Sequence, residues 1–393
     1  MFLFLPLIII SILLILETRH FLRPRSPIKK KVFGWECDNK SSNLSVSGWV
    51  ELSNVHKLME VMITDFDVKT TLVGMKRGNY YSINKKEIIP YFPDEVTRED
   101  DYWSVYIIKS KSSFKIKIDL SFQSKEEENI FQDVESIWIS LEWFDYGPFG
   151  KIKRNESFLV PISHPQNQEN SKNSYSECGS YKLIPINTHM LGILDDPIDV
   201  INMYTNSIIK AGDLVTIGET PLAIIQGRYH LADSLTVGFL ARLLCRSFHP
   251  TSSLATAYGM QTLIDIIGPS RILLAWFCGS FLKVFGIKGC FYRIAGKQAR
   301  LIDDLTGTTP PYDKTIVLGP KNVQSFCNQA SKKLGISIAV VDVNDLGKVK
   351  ILASSKLCRD NDLTTALRSN PAGNANQHTP IVIIRPINKP IRM

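Results

Sequence analysis

The spacing of apolar residues changes once along the chain, and this change constrains the fold more than any other feature. From residue 32 onward, apolar side chains recur at every second position in LSVSGWVEL, SFKIKIDLSF and SIWISLEW. A period of two with polar residues between predicts strands that bury one face. Because no helical pattern separates these strands, the sequence predicts an antiparallel β-sandwich at residues 32–162. We interpret its tryptophans as core residues rather than ligand platforms: Trp35, Trp49, Trp138 and Trp143.

The second half of the chain follows a different pattern. The polar stretch SHPQNQENSKNSYSECGS, residues 163–180, has no periodicity and is interpreted as a linker. Strand patterns such as ISIAVVDV then alternate with helical ones, which is typical of an α/β domain, here at residues 181–393. The helix in DDPIDVINMYTNSII has Asp195 or Asp196 as its expected N-cap.

The N-terminus begins with 16 nearly unbroken apolar residues, MFLFLPLIIISILLIL. We interpret residues 1–22 as a single transmembrane anchor, with a buried core helix as the alternative. A basic juxtamembrane segment follows at residues 23–31, and residues 18–31 together hold six Lys and Arg and no acid. The positive-inside rule therefore predicts a membrane protein whose folded domains lie on the cytoplasmic side. Without these six cations, 40 basic residues face 38 acidic ones, which argues against nucleic-acid binding.

A second apolar segment, Ile272–Ile287, lies inside the α/β pattern. Its length and composition allow it to dip into a membrane. Lys283 and Gly279 interrupt it, and we therefore expect a packed helix.

The stretch GCFYRIAGKQ contains a Gly-Lys pair but is not a Walker-type phosphate loop. The preceding glycine, Gly289, is two positions too far from Gly296, and Gln298 stands where a hydroxyl residue is required. Gly296 followed by Lys297 and Arg300 can still approach a phosphate through backbone N–H groups and cations. An ordinary turn is the alternative. The chain also lacks a Gly-x-Ser-x-Gly elbow, and a serine hydrolase is discounted.

Two acidic groups stand at places where strands are predicted to end. Asp303 and Asp304 follow the Gly-Lys segment, while Asp342 and Asp345 follow the strand ISIAVVDV. Ligand sites in open α/β sheets lie beyond the carboxyl ends of strands, and Mg²⁺ or Mn²⁺ takes oxygen ligands there. These four carboxylates are the candidate metal ligands. Capping and turn formation is the alternative reading.

The order of elements in the second half resembles a known family. KLIPI, the DDP helix, AGDLVTIGETPLAIIQGR, FYRIAGKQARLIDDLTGTTPPYDKTIVLGP and GISIAVVDVNDLGK resemble successive segments of the coenzyme F420-0:γ-glutamyl ligases. The resemblance is to the diverged, membrane-anchored cyanobacterial type. It covers about residues 181–386, and it carries the order of segments more than individual residues.

The resemblance implies an acid–amino-acid ligase. Family members use GTP to join a carboxylate of a small molecule to L-glutamate through an acyl phosphate stabilised by a divalent metal. Carried over, Asp303, Asp304, Asp342 and Asp345 would be metal ligands, and Lys297 and Arg300 would be catalytic. Gln226, Gly227, Arg228 and Gly296 would contact the co-substrate, and Arg228 would face phosphate or carboxylate. A homodimer is also implied.

One alternative stays open at this point. No lysine lies between Gly212 and Arg228, and Gln226 stands where the family has glutamate. These departures favour a non-catalytic binding or scaffold protein on the ligase fold, with the β domain as its partner surface.

Overall fold

The computed structural model describes most of the chain. The described residues are 4–21, 26–40, 43–74, 81–91, 105–124, 130–165, 176–250, 252–303, 310–343, 347–356, 360–372 and 378–387. Two of the four candidate metal ligands, Asp304 and Asp345, lie outside these ranges. So do residues 166–175 of the predicted linker.

The N-terminal apolar run forms a helix, α1, at Phe4–Phe21. Its described side chains from Ile8 to Thr18 are exposed, which disfavours the alternative of a buried core helix. Among the described residues, no single helix is long and apolar enough to cross a membrane. Two consecutive helices, Ala257–Ile267 and Pro269–Val284, meet that requirement only as a pair bent by 115°. The anchor at residues 1–22 stays a prediction.

Among the described residues, eight strands lie between α1 and the polar stretch at 163–180, and three of them coincide with the segments of period-two alternation. Their bounds are β1 Ile28–Lys40, β2 Asn43–Asn54, β3 Val61–Val73, β4 Tyr81–Tyr91, β5 Tyr106–Ile108, β6 Ser113–Ser124, β7 Ser136–Gly147 and β8 Gly150–Pro161. They make two four-stranded sheets, in the orders β1-β2-β6-β4 and β5-β3-β7-β8. The pairs β1–β2, β2–β6, β4–β6 and β3–β5 are antiparallel.

The two sheets pack as a sandwich because alternate residues of their strands are buried. Along β2 every second side chain from Leu44 to Leu52 is buried. Tyr106 of one sheet stacks on Phe114 of the other, with ring centroids 4.4 Å apart. The predicted β-sandwich is therefore confirmed. The core reading of the tryptophans holds for Trp138 and Trp143, which are buried.

The chain divides into two compact units, and the division does not follow the predicted boundaries. The first unit contains residues 1–69, 80–131 and 140–155, and the second contains 70–79, 132–139 and 156–393. The ends of β3, β7 and β8 thus belong to the second unit. The predicted linker at 163–180 also ends earlier than expected, because β9, Ser176–Cys178, pairs with β10.

The second unit is built on a six-stranded mixed sheet in the order β15-β14-β11-β16-β10-β9. Its remaining strands are β10 Tyr181–Ile186, β11 Leu214–Gly218, β14 Ser337–Val343, β15 Val349–Ser354 and β16 Ile381–Pro386, and a separate pair is β12 Tyr229–Leu231 with β13 Thr315–Val317. The pair β11–β14 is parallel, whereas β14–β15, β11–β16, β10–β16 and β9–β10 are antiparallel. The α/β prediction is confirmed as a mixed sheet.

Helices cover both faces of this sheet. The strand β14 alternates between them, because Ile338 and Val340 pack on one face and Ala339 and Val341 on the other. The first face is covered by α2, Pro197–Thr205, and α8, Val323–Leu334, and the second by α9, Asp360–Ala366. Asp196 is the N-cap of α2, accepting hydrogen bonds from two backbone N–H groups.

A helical segment lies between β12 and β13 in the chain. It contains α4 Phe239–Leu244, α5 Ala257–Ile267, α6 Pro269–Val284 and α7 Cys290–Ala295, while α3, Glu219–Ile225, precedes it. Its core is formed by residues such as Leu244, Leu263 and Phe291. The helix predicted at Ile272–Ile287 is packed on one side only, since its buried residues are Ile272 and Ala275.

Candidate functional site

Two parallel strands place acidic side chains next to each other at their carboxyl ends. In the β11–β14 register, Gly218 is opposite Val341, so that Glu219 and Asp342 follow side by side. Asp342 in turn is paired with Lys350 on β15. The Lys350 Nζ lies 3.5 Å from an Asp342 carboxylate oxygen and 3.7 Å from one of Glu219. One lysine is therefore shared by two carboxylates at the sheet edge.

Glu219 is the most perturbed acid of this cluster. Its side chain is 11% exposed. Burial raises the pKa of Glu219 to about 7, with Asp342 and Asp303 adding to the rise and Lys350 opposing it. A carboxyl group that is half-ionised near neutral pH can both accept and return a proton. Glu219 therefore has the properties of a general acid–base group.

Asp303 is held near this cluster by a backbone bridge. Its N–H donates to the Val317 carbonyl and its carbonyl accepts from the Val317 N–H, each at 2.9 Å. Although part of its side chain is exposed, surrounding protein raises the pKa of Asp303; the Asp342 charge adds to the rise, while Lys350 opposes it. The structure thus brings one member of each predicted acidic pair, Asp303 and Asp342, into electrostatic contact.

The carboxylates do not by themselves form a metal site. Within the described ranges, no group of three or more His, Cys, Asp or Glu side chains is arranged to hold a metal ion. An ion at Asp303 and Asp342 would need further oxygen ligands. The other two candidates, Asp304 directly after Asp303 and Asp345 three residues after Asp342, lie outside the described residues.

A pocket of about 320 Å³ opens beside Glu219 and Asp342. This volume is within the range of small-molecule sites. Its walls combine apolar groups with a few polar ones from the ends of β11, β14 and β16 and the loop before α2. The lining residues include Thr188, His189, Met190, Thr216, Gly218, Glu219, Thr220, Pro221, Ile224, Tyr312, Asp342, Leu367, Asn370, His378, Thr379 and Pro380.

A buried histidine forms one wall of this pocket. The His189 Nδ1 lies 2.7 Å from the Tyr204 hydroxyl, and its Nε2 lies 3.0 Å from the Asp195 carboxylate. Asp195 also accepts a hydrogen bond from the Gly192 N–H at 2.7 Å. The carboxylate fixes the ring orientation of His189. Asp195 therefore orients the histidine, while the N-cap role goes to Asp196.

The predicted co-substrate residues Gln226, Gly227 and Arg228 stabilise a neighbouring loop. The Gln226 side chain bonds the backbone N–H and carbonyl of Lys321 at 2.7 and 3.0 Å. Gly227 has a φ of +64°, which favours glycine. The Arg228 Nε donates to the Gly319 carbonyl at 2.6 Å, and its guanidinium also reaches the Gln298 side chain at 3.1 Å. The Gln226 amide and two guanidinium nitrogens of Arg228 are thus bonded within the protein.

The Gly-Lys segment forms a single tight turn. Gly296 has a φ of +96°, and Lys297–Arg300 is a short 3-10 helix after it. Both cations are exposed, and the Arg300 guanidinium lies 5.5 Å from the centre of the Tyr292 ring. Neither cation lines the pocket beside Glu219. Among the described residues, Lys350 is the cation in contact with Glu219 and Asp342.

Sequence reasoning missed Glu219, Lys350 and His189 as site residues. Glu219 follows an apolar strand directly and opens a helix, which is the position where α/β sheets present ligand-binding groups. The sequence therefore contained a signal for Glu219. It contained none for Lys350, because the role of Lys350 depends on the antiparallel register of β15, and no local pattern reports that register.

Comparison with known proteins supports the same family, but through a part of the chain that lies before residues 181–386, on which the resemblance rests. Residues 30–164 match the family described as the N-terminal Ig-like domain of F420-0:gamma-glutamyl ligase. No curated protein matches the chain. Among solved structures, the GAE domain of GGA2p from Saccharomyces cerevisiae covers 34% of this chain and 100% of its own, at 8% identity. Because its TM-score is 0.20, this likeness supports no conclusion about the fold. Over residues 30–164, roughly a third of its length, the chain is thus similar to γ-glutamyl ligases and has the Ig-like β-sandwich described for them.

Proposed function

We propose that the protein is an acid–amino-acid ligase, which joins a small-molecule carboxylate to an amino acid such as L-glutamate. The observation that carries the proposal is the pocket beside Glu219, Asp342 and Lys350, where a carboxyl group with a pKa of about 7 meets a shared lysine. The match of the N-terminal domain to γ-glutamyl ligases supports the same reaction class.

The reaction has two steps. A carboxylate oxygen of the acceptor attacks the γ-phosphorus of GTP or ATP, giving an acyl phosphate and a nucleoside diphosphate. The amine of the amino acid then attacks the acyl carbon, the C–N bond forms, and inorganic phosphate leaves with the C–O bond electrons. The attacking nitrogen must lose a proton. In this proposal Glu219 accepts it, because its carboxyl group is half-ionised near neutral pH.

Negative charge that develops on the substrates in the pocket requires a nearby cation. Lys350 does not itself line the pocket, but it contacts two carboxylates that do, and in this proposal it neutralises one negative charge as it develops on a phosphate or carboxylate. A Mg²⁺ or Mn²⁺ ion is part of the proposal, with Asp303 and Asp342 as ligands and Asp304 and Asp345 as the additional ones. The carboxylates of the described residues do not complete the coordination of such an ion, and no step above is assigned to it.

The N-terminal helix would hold the enzyme at a membrane in this proposal. Its exposed apolar side chains, Ile8–Leu16, and the cations of residues 18–31 support this role. The folded domains would then lie on the cytoplasmic side.

Nucleotide binding is the direct test. The full chain in detergent is titrated with GTP and with ATP by calorimetry, in the presence of MgCl₂ or MnCl₂. We expect binding of one nucleotide that requires the metal and is lost in Asp342→Asn. Glu177→Gln, an exposed acid on β9, is the matched control and should bind as the wild type does. If neither nucleotide binds under any of these conditions, the ligase proposal is wrong.

Turnover is tested separately. Phosphate release from the bound nucleotide should depend on both L-glutamate and a carboxylate acceptor, for which F420-0 is the first choice. Glu219→Gln should keep nucleotide binding and lose about 100-fold or more in turnover, as expected for removal of a general base.

A non-catalytic binding or scaffold protein is the second candidate. It is favoured by the contacts of Arg228 with Gly319 and Gln298, and by the exposure of Lys297 and Arg300 away from the pocket. This candidate predicts that the pocket binds a ligand without any metal-dependent nucleotide turnover.

A further inference from the structure

The helix α6 exposes an unusual amount of apolar surface for a helix inside a folded unit. We define the α6 apolar face as six exposed apolar residues of this helix and its C-terminal end: Leu273, Leu274, Phe277, Phe281, Val284 and Phe285. Of these, Phe277 is 70% exposed and Val284 is 83% exposed. The positions recur at intervals of three and four, so that they share one side of the helix. Contiguous exposed apolar surface of this kind marks a docking site.

The opposite side of α6 is firmly packed. Ile272 and Ala275 are buried there. At Gly279 an added Cβ would lie 2.9 Å from the Phe291 Cβ, and the Arg271 Nε donates to the Ile294 carbonyl at 2.8 Å. The orientation of α6 is thus set by α7, and its apolar face is fixed toward the outside.

The preceding helix cannot join α6 as a membrane span. The two helices have the length and composition of a bent span only together. However, α5 buries a run of residues, Gly259–Ile264, in the core of its own unit. Spanning would require that core to open. The arrangement left for α6 is to lie parallel to the surface of a bilayer, with its exposed apolar side toward the lipid.

The helical segment that contains this face carries charge of almost one sign. Residues 234–302 contain eight Lys and Arg residues and one acid, Asp265. All eight cations are exposed: Arg242, Arg246, Arg271, Lys283, Lys288, Arg293, Lys297 and Arg300. None of them takes part in an ion pair between described residues. This segment alone has a formal net charge of +7, from eight cations and one acid, whereas the whole chain has +8.

We propose that the α6 apolar face docks on the surface of an anionic lipid bilayer, with the phenylalanines in the interfacial region and Lys283 and Lys288 on the headgroups. Aromatic and apolar side chains next to lysines are the composition of interfacial helices. Trp276 has the same character, since its ring borders the apolar face and its Nε1 donates to the Ser247 hydroxyl at 3.0 Å.

Anionic lipid fits this face better than a second copy of the chain. Two copies that paired symmetrically through α6 would bring the same basic region together from both sides, and like charges oppose such an interface. A surface rich in negative headgroups removes that repulsion. This docking is independent of the ligase proposal, which concerns a different group of residues.

Photo-crosslinking in the full chain tests the proposal. Phe281 is replaced by the photoreactive analogue p-benzoylphenylalanine, which keeps the aromatic ring. The protein is bound to vesicles of equal parts phosphatidylglycerol and phosphatidylcholine and illuminated, and adducts are identified by mass spectrometry. The matched control carries the analogue at Met203, an exposed residue of α2 in the same unit. Both chains contain α1, so any anchoring by that helix is common to them.

We expect lipid adducts at position 281 and few at position 203. The yield at 281 should fall in pure phosphatidylcholine. It should also fall by about fivefold for each of Lys283→Gln and Lys288→Gln, the change that corresponds to the attraction of one cation to an anionic surface. Thermal melting should be unchanged in these two variants, because both lysines are exposed. Equal lipid adducts at both positions, adducts only between protein chains, or no adducts would each overturn the proposal; adducts between chains would identify α6 as a contact between copies.

Discussion

The carboxylate of Glu219 and the ammonium of Lys350 lie 3.7 Å apart, although 130 residues of chain separate them. The lysine is also 3.5 Å from Asp342 and so cannot neutralise both acids. Burial raises the pKa of Glu219 to about 7, and the charge of Asp342 adds to the rise. A carboxyl group with a pKa near neutral pH is what a proton-transfer site needs.

Removal of the lysine should change the titration of Glu219 in a defined direction. In Lys350→Met the attraction that lowers the pKa of Glu219 is lost, and the pKa should rise above its present value of about 7. Carbon-detected NMR of glutamate-labelled protein measures this. If Glu219 acts as a base, turnover should fall more at pH 7 than at higher pH, where only the charge neutralisation by Lys350 is lost. An unmoved titration would contradict the contact between the two side chains.

The raised pKa of Glu219 should make stability fall with pH. Between about pH 4.5 and 7 the folded protein keeps a proton on Glu219 that the unfolded chain has lost. The contribution of this group is therefore complete below the unfolded pKa and is lost as the pH rises through the folded pKa. Relative to Glu219→Gln, which cannot ionise, the wild type should lose about 3 kcal/mol from pH 4 to pH 8.

Urea unfolding in detergent at these two pH values checks this prediction. The raised pKa of Asp303 also makes stability fall as the pH rises. Because Asp303 is present in both proteins, its contribution cancels in the comparison. A difference that does not depend on pH would show that Glu219 is ionised normally.

Arg228 should matter for stability more than an exposed arginine does. Arg228→Met removes the hydrogen bonds to the Gly319 carbonyl and to Gln298. Loss of a charged donor to a partly buried carbonyl costs about 1–3 kcal/mol. Thermal unfolding measures the difference, with Arg293→Met, at an exposed position, as the control. Equal melting temperatures for the two variants would show that the Arg228 contacts contribute little.

The close approach of α6 and α7 should depend on Gly279. In Gly279→Ala the new methyl group would lie 2.9–3.1 Å from the Phe291 Cβ, N and Cα, atoms that cannot rotate away. Overpacking of this kind costs about 1–3 kcal/mol. Ser280→Ala, on the exposed side of the same helix, should melt near the wild type. A stable Gly279→Ala variant would mean that the two helices can separate without loss.

Local patterns determined the types of the elements in this protein. Alternation in LSVSGWVEL and SFKIKIDLSF predicted the strands that became β2 and β6, since one-sided burial imposes a period of two. The apolar run ISIAVVDV predicted a buried strand, and β14 packs against both layers of helices. Asp342, at the carboxyl end of that strand, lines the pocket, and its role as a metal ligand stays a prediction.

Tertiary structure decided which of the candidate residues meet. Lys350 reaches Glu219 and Asp342 through strand register, which depends on pairing between distant segments and leaves no local signature. The same cause turned Gln226 and Arg228 toward the loop at Gly319–Lys321. The apolar segment around Phe281 showed the limit most clearly: its composition fits a buried helix, a membrane contact or a span. Packing of one side against α7 left its other side exposed, and that choice was made by the fold alone.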